Sequence, residues 1–246
     1  MIIQSKRVWI AEQWISAQIE IEDNLIQAIW PYKTKPVDVD YDNKRILPGF
    51  IDTHCHGALG FDTNDATEDG LAMWLKAAPK EGLTQLCPTT ITQSEAILTK
   101  ALENVARLAA TQTEGARIAG IHFEGPYLNT AYKGAQPEPY IVKPNVAQFK
   151  AYQKAAHDLI KVITIAPEKD ETWELTRYLA KTGVSVHVGH SAANYNDAIF
   201  AFANGANGLT HTYNAMTPFN HREPGLVGAA LRLGDVYAEI ISDGNH

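Results

Sequence analysis

The chain has 246 residues, 45% of them hydrophobic, enough to bury a substantial core in one large α/β domain or two small ones. A formal net charge of -7 opposes general affinity for nucleic acid or anionic membrane, so any phosphorylated ligand must be met by locally placed cations. Only two cysteines are present, Cys55 and Cys87, no signal-peptide pattern opens the chain, and no apolar run approaches the ~18 to 20 residues of a membrane span, so a soluble cytoplasmic protein with reduced thiols is expected.

Residues 1–45 read as short β-strands at 2–10, 14–22 and 25–30, separated by polar turn residues such as Glu22-Asp23-Asn24, with no helix of useful length. From Arg45 the rhythm changes to βαβ units. Strands are expected at 46–54, 83–89, 117–124, 159–166, 184–190, 208–211 and 236–242. Helices are expected at 68–78, 94–110, 146–158, 171–181 and 196–204, with a shorter one near 226–233, several behind capping residues such as Thr67, Ser94 and Asp170. No Gly-rich dinucleotide fingerprint follows the first of these strands, which disfavours a doubly wound sheet. A TIM-like (β/α)8 barrel fits better, with its active site at the C-terminal strand ends. The expected layout is therefore a small β-sandwich portion over 1–45 and a barrel over 46–246 that lacks its last strand.

Reactive residues do recur at those strand ends: His54 and His56, then Glu124, His190, His211, and Asp243 with His246. In a strand, His54 and His56 share a face with Cβ atoms about 6 to 7 Å apart, so the two imidazoles can share one cation or serve structure alone. Glu124 closes an otherwise apolar strand before Gly125-Pro126, where a buried carboxylate needs a compensating partner, either a salt bridge or a metal. His190 and His211 add two imidazoles at comparable positions, and this nitrogen and carboxylate mixture suits zinc or iron. A cation so held would activate water to attack an amide or ester carbonyl. The set lacks a carboxylate to relay the proton; Asp243 is a candidate by position, and a residue on an eighth strand a better one.

Several segments together resemble the N-acetylglucosamine-6-phosphate deacetylase family of the amidohydrolase superfamily. They are Leu47-Pro48-Gly49-Phe50-Ile51-Asp52-Thr53-His54-Cys55-His56-Gly57, residues 122–129, Gly189-His190-Ser191, residues 210–216, Arg222-Glu223-Pro224-Gly225 and Ser242-Asp243-Gly244-Asn245-His246. The resemblance implies a divalent metal, one or two ions, with Glu124, His190 and His211 holding the principal one and His54 with His56 a second. Here the fourth barrel strand ends Thr164-Ile165-Ala166-Pro167 with Lys161 near its other end, in agreement with Glu124 taking the bridging role that a modified lysine takes elsewhere in the superfamily. It also implies that Asn214, Ala215 and Arg222 surround a sugar phosphate, Arg222 across a homodimer interface, although Arg222 alone reads as a solvated loop residue. His246 resembles a substrate-contacting histidine, and Gln136 stands where some members carry a histidine near the acetyl carbonyl. The family's catalytic aspartate is expected beyond His246, so the chain reads as a truncated piece whose own activity is in question.

The implied reaction is removal of the acetyl group from N-acetylglucosamine 6-phosphate. The alternatives are another amidohydrolase, a cyclic amidase or dipeptidase, or an inactive metal-binding fragment. His122 shares the face of Glu124 as a supporting group or core histidine; His187 is expected to pack or bond within its strand, and His157 and His221 to be surface or loop residues. Cys55 and Cys87 are expected to be inert thiols, and Trp74, Trp173 and Tyr178 to pack in the core.

Overall fold

A computed structural model describes residues 1–246, which divide into two compact units, Met1–Phe50 and Ile51–His246. The first is built on three antiparallel strands, β1 (Ile2–Ile10), β2 (Gln13–Glu22) and β3 (Leu25–Pro31), with two short strands, β4 (Val39–Asp40) and β5 (Arg45–Ile46), parallel to β1. Both hairpins turn on two left-handed residues, Ala11 and Glu12 (φ 48° and 61°), then Asp23 and Asn24 (φ 50° and 62°), the backbone that matches strand twist in a two-residue loop. Its core is small: Val8, Ala17 and Ile19, flanked by Ile3, Ile10, Ile21 and Ile46. Buried Gln18 fastens the sheet through its amide, donating to Gln4 Oε1 at 2.9 Å and to the Lys35 carbonyl at 2.8 Å.

The second unit is a curled parallel sheet with helices on its outer face. Its strands are β6 (Phe50–Cys55), β7 (Leu83–Thr90), β8 (Arg117–Ile118), β9 (Ile121–Glu124), β10 (Ile160–Ile165), β11 (Ser185–Val188), β12 (Gly208–Leu209) and β13 (Tyr237–Ala238). They lie in the order β13-β12-β11-β10-β9-β7-β6 with β8 beside β7, so β6 and β13 are the open edges of an incomplete barrel. The helices are α1 (Glu68–Ala77), α2 (Glu95–Thr111), α3 (Val146–Ala155), α4 (Glu174–Lys181), α5 (Tyr195–Ala203) and α6 (Gly225–Leu233).

Strand alternation sorts the two faces of the sheet. On β9, Ile121 and Phe123 join the apolar layer under the helices, where Phe123 lies 4.9 Å between ring centroids from Tyr152 of α3, while His122 and Glu124 take the opposite face. The same layer takes Leu71, Trp74 and Leu75 from α1, Leu98, Leu102 and Val105 from α2, and Leu175 and Leu179 from α4. The inner face is unusually polar. Thr164 donates to Nε2 of His122 at 2.7 Å, since Nδ1 of that ring donates to the Thr53 carbonyl at 2.9 Å. Burial pushes the His122 pKa down to about 3, which keeps the ring neutral for this arrangement.

Three expectations need correction. The strand over 117–124 is broken: β8 and β9 both pair with β7, but the register slips by one residue between Leu86↔Ile118 and Thr89↔His122, leaving Ala119 and Gly120 as an inserted bulge. The strand over 236–242 is reduced to Tyr237–Ala238, the two residues that pair with the equally short β12. Asp170 caps α4 from outside: its carboxylate accepts from the Thr176 amide and hydroxyl, both at 2.8 Å, while Trp173 occupies the cap position with left-handed backbone.

Candidate metal centre

Each of the five metal-ligand candidates sits at or just past the C-terminal end of a parallel strand, the end that a curled sheet gathers at one mouth. His54 lies in β6 and His56 one residue past it, Glu124 ends β9, and His190 and His211 follow β11 and β12 by two residues. Both of the latter histidines have left-handed backbone, φ 46° and 29°, a conformation that costs a non-glycine residue about 1–2 kcal/mol and is held here by surrounding structure. Gly125 (φ 83°) lets the chain turn sharply after Glu124; a Cβ at that position would collide with the Thr92 hydroxyl.

The Glu124 carboxylate, 2% exposed, stands at the centre. Nε2 of His54 and Nε2 of His190 lie 3.2 Å from its Oε1, and Nε2 of His211 lies 3.3 Å from the same atom. Nε2 of His56 lies 3.2 Å from Oε2. The five residues the sequence singled out as metal ligands are thus brought together, as two sets that share the carboxylate: Glu124 with His190 and His211, and Glu124 with His54 and His56.

Tautomers decide whether a cation fits. Nδ1 of His190 donates to the Tyr132 carbonyl at 2.8 Å and Nδ1 of His211 to the Asn214 carbonyl at 3.1 Å. A carbonyl only accepts, so Nδ1 carries a proton in both rings, and in the neutral imidazole Nε2 is the atom that carries the lone pair. These two atoms are 3.1 Å apart and both face Glu124 Oε1. Three such atoms repel unless a proton or a cation lies among them, and a divalent cation meets all three at once. Donor arms of about 2.0–2.1 Å at tetrahedral angles separate donor atoms by about 3.3–3.4 Å, close to the spacing found here. In the second set Nδ1 of His54 donates to Glu239 Oε2 at 2.8 Å, which again leaves Nε2 for Glu124. Nδ1 of His56 is buried without a partner. A third grouping, His54, His122 and Glu239, is a hydrogen-bonded cluster, because both His122 nitrogens are already engaged.

The fields are strong. Burial alone would raise the Glu124 pKa, but the four imidazoles hold it well below the ordinary carboxylate range. Burial alone would lower His54; Glu124 and Glu239 overcome it and hold the ring at about 10 in the absence of a cation.

The remaining candidates are more dispersed. Gln136 is buried with both ends of its amide engaged: Nε2 donates to Glu124 Oε2 at 2.5 Å and Oε1 accepts from the Thr92 amide at 2.7 Å. Asn214 and Ala215 line the turn after His211, their carbonyls accepting from His211 Nδ1 and from the Ser191 amide. Arg222 is exposed in the loop before α6. His246 is exposed and donates through Nδ1 to Asp243 Oδ2 at 2.9 Å, so Asp243 is engaged at the surface and away from the Glu124 carboxylate's own partners. His157 and His221 are exposed as expected. Burial pushes the Cys87 thiol up to about 11 and raises Cys55 as well, so neither is a thiolate near neutral pH.

Two residues were missed. Glu239, one residue after β13, accepts from Nδ1 of His54 at 2.8 Å, Nδ1 of His187 at 2.6 Å and the His211 amide at 3.1 Å. Glu168 accepts from Asn129 at 2.7 Å, Ser191 Oγ at 2.6 Å and the Ala192 amide at 2.7 Å, tying down the turn that carries His190. The signal for Glu239 was fainter than that for Glu124: a lone carboxylate inside the apolar run Tyr237-Ala238-Glu239-Ile240-Ile241, where Glu124 closes its strand before Gly125-Pro126.

Comparison with known proteins agrees with this geometry. A model of the amidohydrolase family matches residues 45–246. The chain is 41% identical over 204 residues to an N-acetylglucosamine-6-phosphate deacetylase of Bacillus subtilis, covering 82% of this chain and 52% of that protein. It is 35% identical over 247 residues to an N-acetylgalactosamine-6-phosphate deacetylase of Escherichia coli O157:H7, covering 100% of this chain and 65% of that protein. Among solved structures, an N-acetyl-D-glucosamine-6-phosphate deacetylase mutant from Mycobacterium smegmatis, in complex with N-acetyl-D-glucosamine-6-phosphate, superposes with a TM-score of 0.94 at 30% identity. That match covers 100% of this chain and 64% of the other, so the chain spans about half to two thirds of the length of these relatives.

Proposed function

The chain belongs to the amidohydrolase family, and from that premise we propose that its protein hydrolyses the acetamide of N-acetylglucosamine 6-phosphate, releasing acetate and glucosamine 6-phosphate. The observation that carries this reading is the Glu124 carboxylate shared by four imidazole Nε2 atoms at 3.2 to 3.3 Å. His190, His211 and Glu124 would hold one divalent cation and His54, His56 and Glu124 a second. Zinc suits the donors, and iron is the nearest rival. Bound there, the cation supplies a Lewis acid for the amide carbonyl and makes water a nucleophile near neutral pH.

The chain's own residues prepare that chemistry. Tyr132 and Asn214 present their carbonyls so that His190 and His211 keep Nε2 free, and Gln136 anchors Glu124 Oε2. Arg222 offers an exposed planar fork to the sugar phosphate, across a homodimer interface in this proposal. Asn214, Ala215 and His246 complete the substrate surface, and the proton relay falls to an aspartate on an eighth strand of the whole protein. Residues 1–45 form strands of a small β-sandwich and residues 46–246 belong to the barrel, and the compartment is the cytoplasm.

The galactosamine epimer is the one alternative substrate that a specific observation favours, the match to the Escherichia coli relative over the whole chain. Acetate release by the protein expressed from its native gene decides between them. The proposal expects turnover of N-acetylglucosamine 6-phosphate, loss of turnover on removing the phosphate from the substrate, and slower turnover of the epimer. Equal rates with and without the phosphate would contradict it.

A further inference from the structure

The sheet order leaves β6 and β13 as open edges, yet one carboxylate connects them. Glu239 follows β13, and its Oε2 accepts the Nδ1 proton of His54 on β6 at 2.8 Å. The same oxygen accepts the backbone amide of His211 at 3.1 Å, and Oε1 accepts Nδ1 of His187 at 2.6 Å. The side chain is only 9% exposed, so these bonds form where water competes little. Its backbone is fixed as well, with the amide donating to the Leu209 carbonyl at 3.0 Å and the carbonyl accepting from Thr212 at 2.9 Å. Glu239 therefore meets one histidine of each cation set: the ring of His54 and the backbone of His211.

We propose that Glu239 is the positioning residue that creates the second cation site, by holding Nδ1 of the His54 ring so that Nε2 is the ring atom turned toward Glu124, where a cation can replace its proton. This rests on reading the His54, His56 and Glu124 set as a cation site. His54 is the member of that set whose orientation depends on a distant element, since its ring bonds to β13's carboxylate 185 residues away in sequence. The Glu124, His190 and His211 set owes its tautomers to backbone carbonyls, which a change at residue 239 leaves in place. Loss of the Glu239 carboxylate thus separates the two sites: the second loses the partner of a ligating ring, while the first loses only a bond to the His211 backbone amide and keeps both of its ring partners.

The test is cation stoichiometry and affinity for zinc, measured by elemental analysis and chelator competition on the purified chain and on Glu239→Ala, Glu239→Gln, His54→Ala and the double variant His54→Ala/Glu239→Ala. Glu239→Ala is expected to keep one zinc with far the smaller change in affinity and to hold the second about 10–100-fold more weakly, the usual effect of removing the partner of a ligating histidine. His54→Ala should reproduce that loss, and the double variant should add nothing. Glu239→Gln keeps the side-chain shape and one acceptor oxygen, so it guards against misfolding; its melting temperature should stay near that of the parent while the second zinc weakens. Two zinc ions retained at parental affinity in both Glu239 variants, with only melting affected, would reduce Glu239 to a structural brace and overturn the proposal. A parent chain that binds no zinc would sink the metal reading itself, a different result from an unaffected variant.

Discussion

The inner strands of the curled sheet and its two edges are held by different forces. On β9 to β12 the outward side chains Ile121, Phe123, Ile163, Ile165, Val186, Val188 and Leu209 are 0 to 1% exposed. At the edges, Ile51 is 54% exposed, Tyr237 71% and Ile240 78%. The cluster draws on both: Glu124, His190 and His211 come from strands locked by packing, and His54 with Glu239 from edges joined by one ion pair at 2.8 Å. Half of the centre is therefore positioned by close packing, and half by a charge-assisted bond that a single substitution removes.

The comparison breaks most completely at the residue both halves share. Glu124→Ala should abolish zinc binding in both sets, a loss beyond the ~100-fold of an outer-shell change, as read by elemental analysis after dialysis. Next in size is the packing itself: Phe123→Ala, one position away and pointing to the helix layer, should cost about 3–5 kcal/mol in urea unfolding.

Proton linkage sharpens the edge half. In the cation-free chain the folded His54 pKa is raised from 6.5 to about 10, so its contribution is full below about pH 6.5 and is lost as pH rises through about 10. Glu124 and Glu239 are depressed below 4.5, so theirs is present above about pH 4.5 and is lost as pH falls further. Chelated protein should melt highest between these limits and fall by several degrees beyond either, as read by calorimetry. Zinc should abolish the alkaline fall, because a cation on Nε2 replaces the titrating proton. The smallest effect belongs to the exposed edge, where Tyr237→Ser should stay within about 0.5 kcal/mol of the parent in the same urea measurement.

What the sequence made legible follows the same division. The four clustered histidines and Glu124 were readable because each is a polar group at the end of an apolar strand, and the hairpins over residues 2–31 because their alternation is clean. Glu239 was hidden inside an apolar run that reads as a longer strand; its partners His54 and His187 lie 185 and 52 residues away, and only the curl of the sheet brings them together. The bulge at Ala119 and Gly120 was invisible for a similar reason, since a register slip depends on what β7 offers opposite. Gln136, which resemblance alone placed near an acetyl carbonyl, has its amide engaged by Glu124 and Thr92, two contacts that only the folded chain reveals.

X-ray absorption at the zinc edge of the loaded chain tests the central claim most directly, because it reports which atoms hold the ion. The account predicts a shell of nitrogen and oxygen at about 2.0–2.1 Å, with the outer-shell scattering of about two imidazoles per zinc. A sulfur scatterer at about 2.3 Å, which only Cys55 or Cys87 with their raised thiol pKa values or a methionine could supply, or an oxygen shell without imidazole, would contradict it.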